Sequence, residues 1–273
     1  MLILLLSPLL GKRSLASAYI DTTVLTDILL KSGEPAKRAC AALENFDGTQ
    51  VPMYAIKEFK RGPLRNFAWM HNKFVMEGTF HGAIVALHAM SRTPKRYTTS
   101  TALESLIVGS SSLAHHTLST WVDKHGSDAE IGNVLRDEMR LALKKRIYQA
   151  WSKRHSVATE TVHPLSCYEE RAPYEKRGLI ELSPTSCERE QTCCLAPALR
   201  AMADDLRKMK DAIDASGSTR NEDRRRAKSL RQVYRTAKTD ITDEVCRNLG
   251  DAVIVAFAPS GLPSFLKPVQ KRL

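Results

Sequence analysis

The spacing of apolar and polar positions changes along the chain, and the first stretch reads as strand, turn, helix. Ala18-Tyr19-Ile20 is a short apolar run that meets the polar turn Asp21-Thr22-Thr23, after which Val24-Leu25 begins a helical pattern. Asp and Thr suit that turn because their side-chain oxygens accept the free backbone N–H groups of a first helical turn. The helix reaches Leu30 and ends near Gly33. A second follows Pro35 with Ala36, Cys40 and Leu43 on one face and breaks at Gly48. Val51-Pro52-Met53 reads as a short strand, and Ala55 to Arg61 as a helix that Pro63 closes.

From Asn66 to about Ser156 the pattern is mostly helical. Phe74, Val75, Ile84, Val85 and Leu87 fall at helical spacing, Thr101 to Leu113 predicts another helix, and Ile131 to His155 is the clearest of all. Val157 to Cys194 loses periodicity and collects prolines and cysteines, so it reads as irregular. Pro197 to Asp214 is helical, Ser216 to Asn221 a loop, and Glu222 to Lys238 a strongly basic helix. The end returns to an α/β pattern. Thr239 to Asp243 is a capped turn, Asp251 opens the apolar run Ala252 to Ala258, and Ser264-Phe265-Leu266 predicts a last strand.

Three acids stand where an apolar run meets a helix: Asp21 after Tyr19-Ile20, Glu58 within Val51–Phe59, and Asp251 before Val253-Ile254. In a parallel sheet, sites form at the carboxyl ends of strands, where acids far apart in sequence can converge. Gathered carboxylates repel one another unless a cation is bound, and oxygen ligands select Mg²⁺ or Mn²⁺. Each acid has a plainer role as well. Asp21 and Asp251 suit helix caps, and Glu58 a solvated helix position.

At these residues the chain resembles the PIN-domain family of ribonucleases. The resemblance rests on Tyr19-Ile20-Asp21-Thr22-Thr23-Val24-Leu25, on Val51-Pro52-Met53-Tyr54-Ala55-Ile56-Lys57-Glu58-Phe59, and on Gly250-Asp251-Ala252-Val253-Ile254-Val255-Ala256. It implies an α/β fold, a PIN-like parallel sheet flanked by helices. Residues 17–65 plus 239–273 would form a discontinuous catalytic core, and residues 66–238 a large, mostly helical insertion with a Cys-rich segment, 163–194. It also implies a Mg²⁺- or Mn²⁺-dependent endoribonuclease with Asp21, Glu58 and Asp251 as metal-facing acids, and a toxin or defence effector restrained by an antitoxin or regulatory protein. RNA rather than DNA as substrate comes from the resemblance alone. The family places a further acid in its last strand. Here Ser264-Phe265-Leu266-Lys267-Pro268 has none, which leaves Asp243 or Asp240 to substitute, or an inactive PIN-like module that binds RNA or serves as a scaffold. Thr22 or Thr23 would bond a phosphate or a ligated water, or only cap the helix.

Charge adds a partner. The chain of 273 residues carries a formal charge of +11 and a pI of about 9.5, a balance that favours a polyanion. Arg224, Arg225, Arg226, Lys228, Arg231, Arg235 and Lys238 crowd one helix. Arg140, Lys144, Lys145, Arg146, Lys153 and Arg154 crowd another, with Tyr148 and Trp151 interleaved as candidates for stacking on unpaired bases. The alternative is a pair of solvated faces. His163, Cys167, Cys187, Cys193 and Cys194 supply enough soft ligands for a structural Zn²⁺, or are buried thiols; their spacing lacks a Cys-x2-Cys knuckle. Cys40 and Cys246 sit on apolar helical faces and are assigned to the core. The apolar opening MLILLLSPLL is shorter than the roughly 20 residues that span a bilayer, and its basic residues follow it. The expectation is therefore a cytoplasmic protein with no membrane segment and reduced or metal-bound cysteines. A homo-oligomer is left open.

Overall fold

A computed structural model describes residues 17–91, 128–163, 165, 168, 170–184, 196–235 and 243–250. Asp21 follows the first strand and caps the first helix, its Oδ1 accepting from the Val24 N–H at 2.9 Å. The strand is β1 (Ser17–Tyr19) and the helix α1 (Thr22–Leu29), as the opening pattern predicts. Gly33, at φ 68°, turns the chain into α2 (Glu34–Leu43), where Pro35 occupies the first turn, a position with no helical partner for an N–H. β2 (Gly48–Pro52) leads directly into α3 (Met53–Phe59).

Pro63 does not close this helix. A π-helical turn (Lys60–Leu64) carries the chain through it into α4 (Arg65–Met76). Proline lacks an N–H and its ring crowds the preceding turn, and a widened turn accommodates both. Gly78, at φ 68°, separates α4 from α5 (Phe80–Ser91), a break that the apolar periodicity does not announce. The clearest predicted helix is α6 (Asp128–Lys153). The expected helix at 101–113 lies outside the described residues.

The stretch that reads as irregular supplies the third strand. β3 (Glu160–Val162) pairs with β2, giving a parallel sheet in the order β1-β2-β3, with Tyr19 beside Gln50 and Pro52 beside Val162. Its entry is fixed by two threonines. The Thr49 N–H donates to Thr159 Oγ1 at 3.0 Å, and that hydroxyl donates to the Thr49 carbonyl at 2.7 Å. A hairpin follows, β4 (Tyr174–Lys176) with β5 (Leu179–Glu181). Asn72 of α4 clasps it, donating to the Ile180 carbonyl at 3.0 Å and accepting the Ile180 N–H at 2.8 Å.

One core ties these pieces together. Leu25, Val51, Ile56, Phe59, Phe67 and Phe74 are buried with Leu143 and Ile147 of α6. Each such side chain withdrawn from water contributes roughly 1.5–3 kcal/mol. The remaining helices are α7 (Ala196–Ala201), α8 (Ala203–Ala215), α9 (Asn221–Arg235) and α10 (Asp243–Asn248). The protein is thus α/β, a small parallel sheet flanked by helices. No helix among the described residues is long and apolar enough to cross a membrane.

Candidate active site

Parallel pairing brings the carboxyl ends of β1 and β2 side by side, so the residues after each strand become neighbours. Asp21 follows β1 and Glu58 lies on α3, the helix that β2 feeds. The link between them is Thr22, whose hydroxyl donates to Glu58 Oε2 at 2.5 Å. The expected capping role of Asp21 is present, and Thr22 bonds the neighbouring acid across two elements.

A third segment reaches the same carboxylate. Gly250, just past α10, lies so close that a Cβ placed there would stand 3.0 Å from Glu58 Oε1 and 3.5 Å from Tyr54 Cε1. A residue without a side chain permits this approach. The contact is held by Tyr54, one helical turn before Glu58, whose hydroxyl donates to the Cys246 carbonyl at 2.6 Å. Burial pushes the Tyr54 hydroxyl well above its ordinary pKa, and the neighbouring Cys246 and Glu58 add to the rise, so it stays protonated. Lys57 is also buried, with Nζ 3.8 Å from Cys246 Sγ. The Glu58 carboxylate therefore sits where residues 21–22, α3 and the end of α10 meet.

Asp251 and Asp240 lie outside the described residues. Asp243 begins α10, and its side chain is not among those described. No three His, Cys, Asp or Glu side chains among the described residues form a metal-binding group. The oxygens shown in contact are the Glu58 carboxylate and the Thr22 hydroxyl, and Asp21, the residue before Thr22, turns its Oδ1 to the Val24 N–H. Their hard-donor chemistry fits Mg²⁺ or Mn²⁺ better than a softer ion. The sequence singles out Asp21, Glu58 and, for a phosphate or water, Thr22. It misses Tyr54 and Gly250, although both stand within the segments that carry the family resemblance.

For the zinc reading, Cys167, Cys187, Cys193 and Cys194 lie outside the described residues. His163 directly follows β3 at φ 56° and meets the Tyr19 ring edge-on, with centroids 6.4 Å apart. Cys246 is buried as expected. Cys40 is exposed, which corrects its assignment to the core, because Ala39 takes the buried face of α2.

The two basic helices differ. On α9, Ala227, Leu230 and Val233 face inward, while Arg224, Arg225, Lys228 and Arg231 are exposed; Arg226 pairs with Asp223 at 3.7 Å, and the Arg235 side chain is not described. Arg224, Lys228 and Arg231 recur at helical spacing and make one cationic stripe. The run on α6 does not share a face. Lys144 pairs with Glu175, Lys145 is exposed and Arg146 is half-buried elsewhere. Trp151 is buried with the Arg154 guanidinium 3.8 Å above its ring and Lys60 Nζ 5.2 Å from it, and Tyr148 packs against the core. Glu170 braces this end of α6. Burial opposes its charge, but hydrogen bonds from Arg154 and His155 outweigh that and hold the carboxyl below its usual range.

No family model, no curated protein and no solved structure matches the chain.

Proposed function

We propose that the chain is a Mg²⁺- or Mn²⁺-dependent endoribonuclease with a PIN-like core. What supports this most is the meeting at Glu58. Thr22, next to Asp21, bonds its carboxylate, and Gly250, next to Asp251 in sequence, packs against it. Asp21, Glu58 and Asp251 are assigned as the metal ligands. The cation, when bound, supplies a Lewis acid and a water of lowered pKa. The chain's own residues do the rest. Thr22 fixes the orientation of the Glu58 carboxylate, Tyr54 holds α3 against α10 as a neutral donor, and Gly250 lets the backbone come close. The stripe on α9 tracks the phosphates of RNA, whose binding releases counterions. An antitoxin or regulatory protein would be the natural partner of such an activity.

The test is Mn²⁺-dependent cleavage of a generic RNA by the purified chain, with Asp21→Asn and Glu58→Gln as variants. Cleavage by the wild type and its loss in both variants is the expected result. A wild type inert with Mg²⁺ and Mn²⁺ alike rejects the enzyme. The exposed arginine face of α9 favours one second reading, an inactive module that binds RNA. Retained RNA binding without cleavage would select it.

A further inference from the structure

We propose that a cleft at the amino ends of β2 and β3 binds a small anionic ligand, a phosphate- or carboxylate-bearing molecule of mononucleotide size with an apolar body, through Arg146. The cleft encloses about 520 Å³, within the usual range for small-molecule sites. Gly48 and Thr49 begin β2 and Thr159 directly precedes β3, and all three line it. Asp21 and Glu58 follow the opposite, carboxyl ends of the strands. The cleft is therefore separate from the acidic site and independent of the nuclease reading.

Its second wall is α6, where Arg146, Gln149, Ala150 and Lys153 share one face at helical spacing. Among the described residues, four charged side chains line the cleft. Glu44, Asp47 and Lys153 are exposed and well hydrated. Arg146 alone is half-buried, and burial lowers its pKa, so the folded chain holds a partly dehydrated cation there. Among the described residues, no carboxylate or carbonyl pairs with its guanidinium. A planar fork of five donors fits a carboxylate or phosphate in bidentate fashion, and a ligand of that charge supplies the acceptors that the described residues do not. Leu29, Leu43, Phe46 and Val157 form the apolar lining, which suits a ligand with a ring or short hydrocarbon rather than a bare inorganic ion.

Cys40 makes the site readable, because its thiol is exposed and lines the cleft. Alkylation of the full chain by iodoacetamide, followed at Cys40 by peptide mass, is measured with AMP or phenylbutyrate and with the neutral counterparts adenosine and phenylbutanol. At about ten times its Kd, a bound anion slows Cys40 alkylation about tenfold by mass action, while the neutral compounds leave it unchanged. Arg146→Gln removes the protection and Arg146→Lys keeps part of it. Asp21→Asn keeps all of it, which separates this site from the nuclease. The proposal is overturned if neither anion protects Cys40, if the neutral compounds protect equally, or if protection survives in a folded Arg146→Gln. Should that variant not fold, the contrast between charged and neutral ligands on the wild type decides alone.

Discussion

Adding one methyl at Gly250 tests the convergence on Glu58. In Gly250→Ala the new carbon would lie 3.0 Å from Glu58 Oε1 and 3.5 Å from the Tyr54 ring. Tyr54 cannot retreat, since it is buried and anchored on the Cys246 carbonyl at 2.6 Å. The half-buried Glu58 carboxylate must move instead, by a few tenths of an ångström, and this loosens its bond from Thr22. A hydrogen bond to a charged acceptor contributes about 1.5–3 kcal/mol, of which a small displacement forfeits a part. Alanine recovers about 0.5–1 kcal/mol over glycine through backbone entropy. The net loss is about 1 kcal/mol, read from the urea midpoint at unchanged slope. The decisive measurement is a double-mutant cycle with Glu58→Ala. Without the carboxylate the added methyl keeps only its entropic gain, about 0.5 kcal/mol, so the coupling is about 1.5 kcal/mol. A cycle that closes to within about 0.3 kcal/mol would refute the contact, and with it the convergence on which the proposed metal site rests.

Three other outcomes follow from the same structure. Trp151→Ala removes a buried ring together with the surface on which Arg154 and Lys60 lie, and is expected to cost about 3–5 kcal/mol in chemical denaturation. Burial lowers the pKa of His71 from 6.5, so the unfolded chain takes up the proton first. Stability then falls as pH drops below about 6.5 towards the lowered native value, and His71→Gln flattens that slope in denaturation curves measured across the window. Reversing Arg224 and Arg231 to Glu leaves folding intact but weakens RNA binding. On the proposed RNA-binding role of α9, it also reduces the slope of log affinity against log salt by about 1.4, two phosphate contacts at roughly 0.7 each, and an unchanged slope would dissociate α9 from RNA.

How much of this was legible before folding depends on the range of the interaction. β1, the Asp21 cap and α1 were readable because strand, cap and helix are set within a few residues. α6 was readable from its length and apolar spacing, but which of its residues face the core was not. Leu141 is exposed, while Ala150 and Trp151 are buried, because α4 and Lys60 decide the contact face. Three-residue β3 is too short to show alternation, and its place comes from a partner far away in sequence. Cys40 looked like core because Ala36, Cys40 and Leu43 share a helical stripe, yet α2 buries Ala39 instead. The acids at the strand ends could be nominated from sequence. The donor from Thr22 and the approach of Gly250 could not, since both depend on chain crossings that no local pattern encodes.

The threonine pair that seats β3 joins positions 110 residues apart, and this has a consequence for biosynthesis. During translation, β1 and β2 emerge early, but one edge of β2 keeps its backbone groups unpaired until Glu160 leaves the ribosome. An uncovered edge recruits other chains, and distant pairings form slowly because loop closure comes first. The nascent protein passes through its most aggregation-prone stage with Asp21 and Glu58 already made, and with both Asp251 and the strand that shields the sheet still to come.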